Sequence, residues 1–249
     1  MAARTTLVTG GTGTLGRLVV DRLRADGHDV RVLSRHAAPP YAVDLREGTG
    51  LDEALAGVDT VVHCASSPRG GDEEAARHLL DASRRAGVRH LVYISIVGVD
   101  RVPYSYYRSK FAVEKMIEES GIGFSVLRAT QFHELVLQVL RALAKLPVVF
   151  VPAGLSDQPV DASEVAARLA GIAGGEPAGR VPDVGGPEVL GFAELARAYL
   201  RAGGRRRPVV GVPLTGRTYR AFRDGGHLAP EHAVGAVTFE QFLCRSAGD

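Results

Sequence analysis

The chain has 249 residues with 30 Lys and Arg against 28 Asp and Glu, a balance that gives no case for a nucleic-acid-binding or membrane-surface protein. Hydrophobic residues at 45% and charged residues at 23% are those of a globular chain long enough to bury a sizeable core. Cys64 and Cys244 make neither a disulfide framework nor a metal site, no run approaches the roughly 18 apolar residues of a membrane span, and the first residues lack a signal-peptide stretch, so a cytoplasmic setting is expected.

Thr5–Thr9 is a short apolar and β-branched run that ends in glycines, and it predicts a strand. Leu15, Leu18, Val19 and Leu23 then recur at a helical period up to Gly27, and Val30–Leu33 predicts a second strand. Strand, glycine turn, helix and strand within about 30 residues have the length of one βαβ unit. The alternation continues with a short strand at Ala42-Val43, a helix from Leu51 to Ala56, a strand from Thr60 to Cys64 and a helix from Glu73 to Ala86. A strand from Arg89 to Ile96, a helix from Tyr106 to Ser120 and a strand from Phe124 to Leu127 follow. This pattern predicts a Rossmann-like α/β fold, a doubly wound parallel sheet whose ligand lies at the carboxyl ends of the strands.

Beyond about residue 130 the rhythm loosens. A helix is expected from Phe132 to Leu146, a strand from Val148 to Val151, and a helix from Val165 to Ala173 behind an Asp161-Ala-Ser-Glu164 capping box. Residues 174–191 are rich in Gly and Pro and should form turns and short strands. A helix at Phe192–Arg201, a strand at Pro208–Val212 and a short helix at Thr238–Leu243 complete the chain. The expectation is a single domain over residues 1–249, in which residues 148–249 form the small C-terminal substrate lobe.

The motif Thr9-Gly10-Gly11-Thr12-Gly13-Thr14-Leu15-Gly16 sits between the first strand and the first helix. It satisfies Gly-x-Gly-x-x-Gly and, in a second register, Gly-x-x-Gly-x-x-Gly. A dinucleotide needs this composition: a tight turn free of Cβ atoms, a close backbone approach to the pyrophosphate, and a helix N-terminus aimed at that anion. Arg17-Leu18 after Gly16 excludes a P-loop. NAD sites carry a carboxylate at the end of the second strand, for the ribose 2′-hydroxyl. Here Ser34 and Arg35 stand there, a pair that suits a 2′-phosphate and favours NADPH over NADH.

The glycine motif, Ser34-Arg35, the segment Ala54-Leu-Ala-Gly-Val-Asp-Thr-Val-Val-His63 and Tyr106-Tyr-Arg-Ser-Lys110-Phe-Ala-Val-Glu together resemble the atypical short-chain dehydrogenase/reductases, in their NmrA-like, NAD(P)H-binding branch. The resemblance covers roughly the first 135 residues and is loose beyond them. It implies that Asp44-Leu45 reads the adenine ring, that Cys64-Ala65-Ser66 passes along the ribose, and that Ala129-Thr130-Gln131-Phe132 flanks the nicotinamide. Ala129 replaces the family's usual Pro. Tyr106-x-x-x-Lys110 matches the family's catalytic pair, one helical turn apart on one face, with Tyr106 as proton donor and Lys110 serving both the tyrosine and the ribose. Tyr104 and Tyr107 leave the register of that pair open. The third family group, a Ser after the fifth strand, aligns with Ile96, and Ser95 is the candidate one position earlier, on the opposite face of an extended segment.

Two functions fit these residues. One is an NADPH-dependent reductase of a carbonyl or quinone-like small molecule, acting as a monomer or homodimer. The other is a non-catalytic NADP(H) sensor, which Ile96 favours. A third and weaker reading, an epimerase or dehydratase, lacks any sugar-nucleotide signature. His133 reads as a capping or surface residue, Arg205-Arg206-Arg207 as a solvated turn, and Cys64 also as small buried packing; His227 and His232 lack metal-ligand spacing.

Overall fold

The computed structural model describes residues 4–35, 38, 40–68 and 70–246. They belong to two units, one of Met1–Ser95, Ser105–Arg128 and Ser163–Pro182, the other of Ile96–Tyr104, Ala129–Ala162 and Asp183–Asp249.

The first unit is built on β1 (Thr5–Thr9), β2 (Asp29–Leu33), β3 (Thr60–His63), β4 (His90–Ile96), β5 (Phe124–Ala129) and β8 (Gly179–Arg180), in the spatial order β2-β1-β3-β4-β5-β8. The β1–β2, β1–β3, β3–β4 and β5–β8 pairings are parallel. The helices α1 (Thr14–Ala25), α2 (Leu51–Leu55), α3 (Asp72–Ala86) and α4 (Ser105–Glu118) alternate with the strands. Leu7, Val61, Leu91 and Tyr93 pack with residues of α2, α3 and α4, while their strand neighbours Val8, Val62 and Val92 are wholly buried too. Both faces of the central strands are therefore covered, which is why these strands read as unbroken apolar runs.

In the second unit, β6 (Val149–Pro152) pairs in parallel with β10 (Val209–Val212), and β7 (Ser156–Asp157) pairs antiparallel with β9 (Leu190–Gly191). Around them lie α5 (His133–Leu143), α7 (Phe192–Ala202), α8 (Arg217–Arg223), a 3₁₀ turn at Pro230–His232 and α9 (Phe239–Ser246); α6 (Ala162–Ala173) falls almost wholly in the first unit. Val136, Leu140, Val151, Leu195, Phe239 and Leu243 share one core. The buried Gln158 amide ties distant loops, donating to the Gly186 and Ala229 carbonyls and accepting from the Ala229 N–H.

Several expectations need correction. Ala42-Val43 forms only an isolated bridge, Ser34 to Ala42, so no strand stands there. The helix after β5 stops at Leu143, not Leu146, and Arg207 donates to the Ala144 and Leu146 carbonyls beyond it, so this arginine caps a helix end instead of pointing into solvent. His133 is neither a cap nor a surface residue. It is fully buried, with Nε2 3.0 Å from the Val237 carbonyl and its ring stacked on Phe242 at 4.9 Å.

Candidate active site

The glycine turn follows β1, and two of its residues have steric reasons to lack a side chain. Gly10 has φ +66, and a Cβ there would lie 2.7 Å from the Ala65 nitrogen, so the turns after β1 and β3 touch backbone to backbone. A Cβ on Gly16 would lie 2.1 Å from the Gly10 carbonyl oxygen, so the first turn of α1 fits against the loop only as glycine. Gly13 caps α1 without any side-chain hydrogen bond, and the helix has no acidic residue in its first turn. The amides of Thr14, Leu15 and Gly16 precede the first helical bond, which Arg17 N–H makes to the Gly13 carbonyl. This bare, positive helix end fits a pyrophosphate.

A cleft of 710 Å³ lies within the first unit, and the carboxyl ends of β1, β2 and β3 reach it. Its lining holds Gly10, Thr12 and Gly13 from the first turn, Ser34 and Arg35 from the second, and Cys64, Ala65 and Ser66 from the third, together with Asp44 and Leu45. Most of the residues expected at the pyrophosphate, 2′-phosphate, adenine and ribose thus share one depression, while Thr14, Leu15 and Gly16 do not line it. Ser34 is buried and pinned by its bridge to Ala42, whereas Arg35 is exposed. Asp44 turns its own loop, accepting the Arg46 N–H at 2.9 Å. Cys64 is half-buried and lines the cleft, so it is more than packing, and burial pushes its thiol up to about 12.

Arg46 escaped sequence reasoning. Its guanidinium donates to the Gly70 carbonyl and to Ser67 Oγ at 3.4 Å, joining the loops after β2 and β3. Nothing in the local sequence marks a contact 24 residues apart.

The three tyrosines of this segment stand in different surroundings. Tyr107 is buried in packing, and Tyr104, in the other unit, lies edge-on to Phe222 at 6.2 Å. Tyr106 instead brings its hydroxyl to 2.8 Å from Ser66 Oγ, a residue of the cleft. Lys110, one turn further, is buried, with Nζ donating to the Ile94 carbonyl at 2.8 Å and lying 4.3 Å from the Tyr93 ring centre. Burial lowers the Lys110 ammonium to about 8, and charge from Asp72 opposes that shift. Burial also lowers His63 to about 3, with the Lys110 charge adding to it, and His63 Nδ1 lies 2.7 Å from Thr9 Oγ1. Ser95 Oγ is buried without a hydrogen-bond partner among the described residues, and Ile96 is half-buried.

Ala129, Gln131 and Phe132 belong to the second unit. Ala129 bridges to Val184 and accepts the Val97 N–H, the Gln131 carbonyl accepts the Val160 N–H, and Phe132 caps α5. Bridges thus hold this segment's backbone. Among the described residues there is no metal-binding cluster, and no helix is long and apolar enough to cross a membrane.

Comparison with known proteins identifies the same region. A family model described as NAD(P)H-binding matches residues 10–135. The chain is 33% identical over 218 residues to the (4-alkanoyl-5-oxo-2,5-dihydrofuran-3-yl)methyl phosphate reductase of Streptomyces griseus, covering 80% of this chain and 74% of the relative. It is 31% identical over 223 residues to the NAD(P)H azoreductase of Xenophilus azovorans, covering 84% and 77%. Among solved structures, the NADPH complex of an NADPH-dependent quinone oxidoreductase from Escherichia coli shares the fold, with a TM-score of 0.84 over 97% of this chain and 99% of that one at 20% identity.

Proposed function

The chain belongs to the NAD(P)H-binding family of atypical short-chain dehydrogenase/reductases, and from that premise we propose that it is an NADPH-dependent reductase of small, electron-poor, conjugated acceptors, carbonyl or quinone-like. The relatives named above are, by name, reductases of an unsaturated lactone bearing a phosphate, of azo compounds and of quinones, all of them hydride acceptors. The observation that carries the reading is Tyr106, bonded to cleft residue Ser66 and one turn from a buried lysine.

NADPH, when bound, supplies the hydride. The Gly10–Gly16 turn and the α1 N-terminus hold its pyrophosphate, and Ser34 with Arg35 holds the 2′-phosphate. Tyr106 donates a proton to the acceptor as negative charge develops there. Lys110, kept one helical turn away, offsets the negative charge left on the phenol oxygen.

A second reading, a cofactor sensor without turnover, draws on Ile96 at the family serine's position and on the sealed Ser95 hydroxyl. One experiment separates the two. NADPH oxidation is followed across quinones, azo dyes and unsaturated lactones, beside calorimetric titration with NADPH and NADH. Turnover of any of these above the buffer rate carries the reductase; tight NADPH binding with no turnover across the whole panel carries the sensor.

A further inference from the structure

Asp72 opens α3 and is buried. Its Oδ1 accepts the Ser67 N–H at 2.7 Å, and its Oδ2 accepts the Ser66 hydroxyl at 2.6 Å. Ser66 Oγ also lies 2.8 Å from the Tyr106 hydroxyl. A serine hydroxyl has one proton, and an ionised carboxylate can only accept. The Ser66 proton is therefore committed to Asp72, and the proton in the second bond comes from Tyr106. The three groups form a chain with one direction, Tyr106 to Ser66 to Asp72.

That direction has a consequence for the phenol. A tyrosinate in the same place would face a serine lone pair with a carboxylate behind it, so the chain favours the protonated phenol. Tyr93 on β4 and Lys110 on α4 belong to the same region, Cys64 after β3 and Glu114 further along α4 act on Lys110, and the Arg46 guanidinium reaches Ser67 Oγ. Tyr93 stays neutral because burial pushes it well above its ordinary value, the Cys64 thiol is likewise raised, and Glu114 is bound to Arg128. Asp72 and Lys110 act in opposite senses, the first favouring the phenol and the second the phenolate.

We propose that Ser66 and Asp72 are positioning residues that keep Tyr106 protonated and aimed until hydride transfer, with the Ser66 hydroxyl then turning from Asp72 to the new phenolate. The proposal rests on the reading of Tyr106 as proton donor. In the step, the Tyr106 O–H bond breaks and its proton bonds to the reduced acceptor, whose negative charge came with the hydride. The phenolate accepts the turned Ser66 O–H while Asp72 keeps the Ser67 N–H, and water returns a proton to Tyr106 before the next cycle. No further oxidant or reductant is involved.

The test uses Asp72→Asn, Ser66→Ala, Ser66→Thr and Tyr106→Phe in the full chain. Asparagine has nearly the same shape, and its Oδ1 can still accept the Ser67 N–H, which preserves that contact at the start of α3. Tyr106 is titrated directly by NMR of ¹³Cζ-labelled tyrosine, assigned by the signal missing from Tyr106→Phe, and kcat is measured against pH at saturating NADPH with an acceptor that the wild type turns over. Asp72→Asn should lower the Tyr106 pKa by about one unit and move the alkaline fall of kcat down with it. Ser66→Ala should lower kcat about tenfold, and Ser66→Thr, which keeps a hydroxyl, should restore most of it. A Tyr106 titration and pH profile unchanged in Asp72→Asn, with Tyr106→Phe inactive, would overturn this inference and leave the donor reading standing. Full activity in Tyr106→Phe would overturn the donor reading, and this inference with it.

Discussion

Replacing Arg35 with alanine isolates the choice of cofactor. Ser34 is buried and its backbone is bridged to Ala42, whereas Arg35 is exposed at the rim of the cleft. A charge-assisted hydrogen bond is worth about 1.5–3 kcal/mol, and exposure places this one at the lower end because solvent and salt screen it. About 1.5 kcal/mol corresponds to roughly tenfold in Kd. NADPH should therefore bind roughly tenfold more weakly to Arg35→Ala, with NADH almost unaffected, and the wild-type preference should shrink as salt rises. The chain has no tryptophan, so the emission of the reduced nicotinamide can be titrated without tryptophan background, with calorimetry as a check. Equal weakening of both nucleotides, or of neither, refutes the assignment of the 2′-phosphate to Arg35.

Gly10→Ala puts a Cβ 2.7 Å from the Ala65 nitrogen at φ +66, so it should cost about 1–3 kcal/mol of stability in urea unfolding and reduce NADPH binding at the same time. Glu114→Gln removes the charge from a buried, doubly hydrogen-bonded contact with Arg128 and should lower unfolding free energy by about 1–3 kcal/mol, read from the urea midpoint. His63 is held near 3 in the fold against 6.5 unfolded, so below pH 6.5 the unfolded chain takes up a proton that the native one refuses, and stability falls. Between pH 7 and pH 5 that loss is about 2 kcal/mol, and urea curves of His63→Gln should show a shallower pH slope than the wild type. Lys110→Met removes the ammonium beside Tyr106 and should cut kcat at least about tenfold in the same acceptor assay, while the urea midpoint falls little because methionine fills the buried site.

What the sequence disclosed, and what it withheld, follows from the range of the forces involved. The alternation of strands and helices up to β5 was legible because period and punctuation agree locally: Leu15 to Leu23 end at Gly27, and Glu73 to Ala86 end at Gly87. The glycine turn was legible because its glycines lie within seven residues, although the Ala65 backbone that bars a Cβ on Gly10 does not. The helix at Arg217–Arg223 was not, since it buries no side chain and so has no apolar stripe. It is held instead by Thr218 and Tyr219, whose hydroxyls donate to the Pro103 and Ala153 carbonyls. The Ala42-Val43 segment has β-branched and small residues but only one bridge available to it. In the site, Tyr106 and Lys110 were readable as a helical pair, but the choice of Tyr106 over Tyr107 depends on Ser66, 40 residues away. Arg46 was missed for the same reason, because its partners are set by how two loops meet, whereas the serine partners of Asp72 lie five and six residues away in the loop that leads into α3.

The buried bond between Glu114 and Arg128 has a mechanical meaning. The two side chains meet through paired contacts of 2.9 and 2.6 Å, one from the middle of α4 and one from β5. Glu114 stands eight residues after Tyr106, about 12 Å along the helix axis. A rod pinned at that point can neither slide nor spin freely, and a slip of one residue would swing the tyrosine by about 100°. The aim of the phenol is thus keyed from two turns away, by a fork and a carboxylate that do not line the cleft. Variants that loosen this key should blur the orientation of Tyr106 before they empty the cleft.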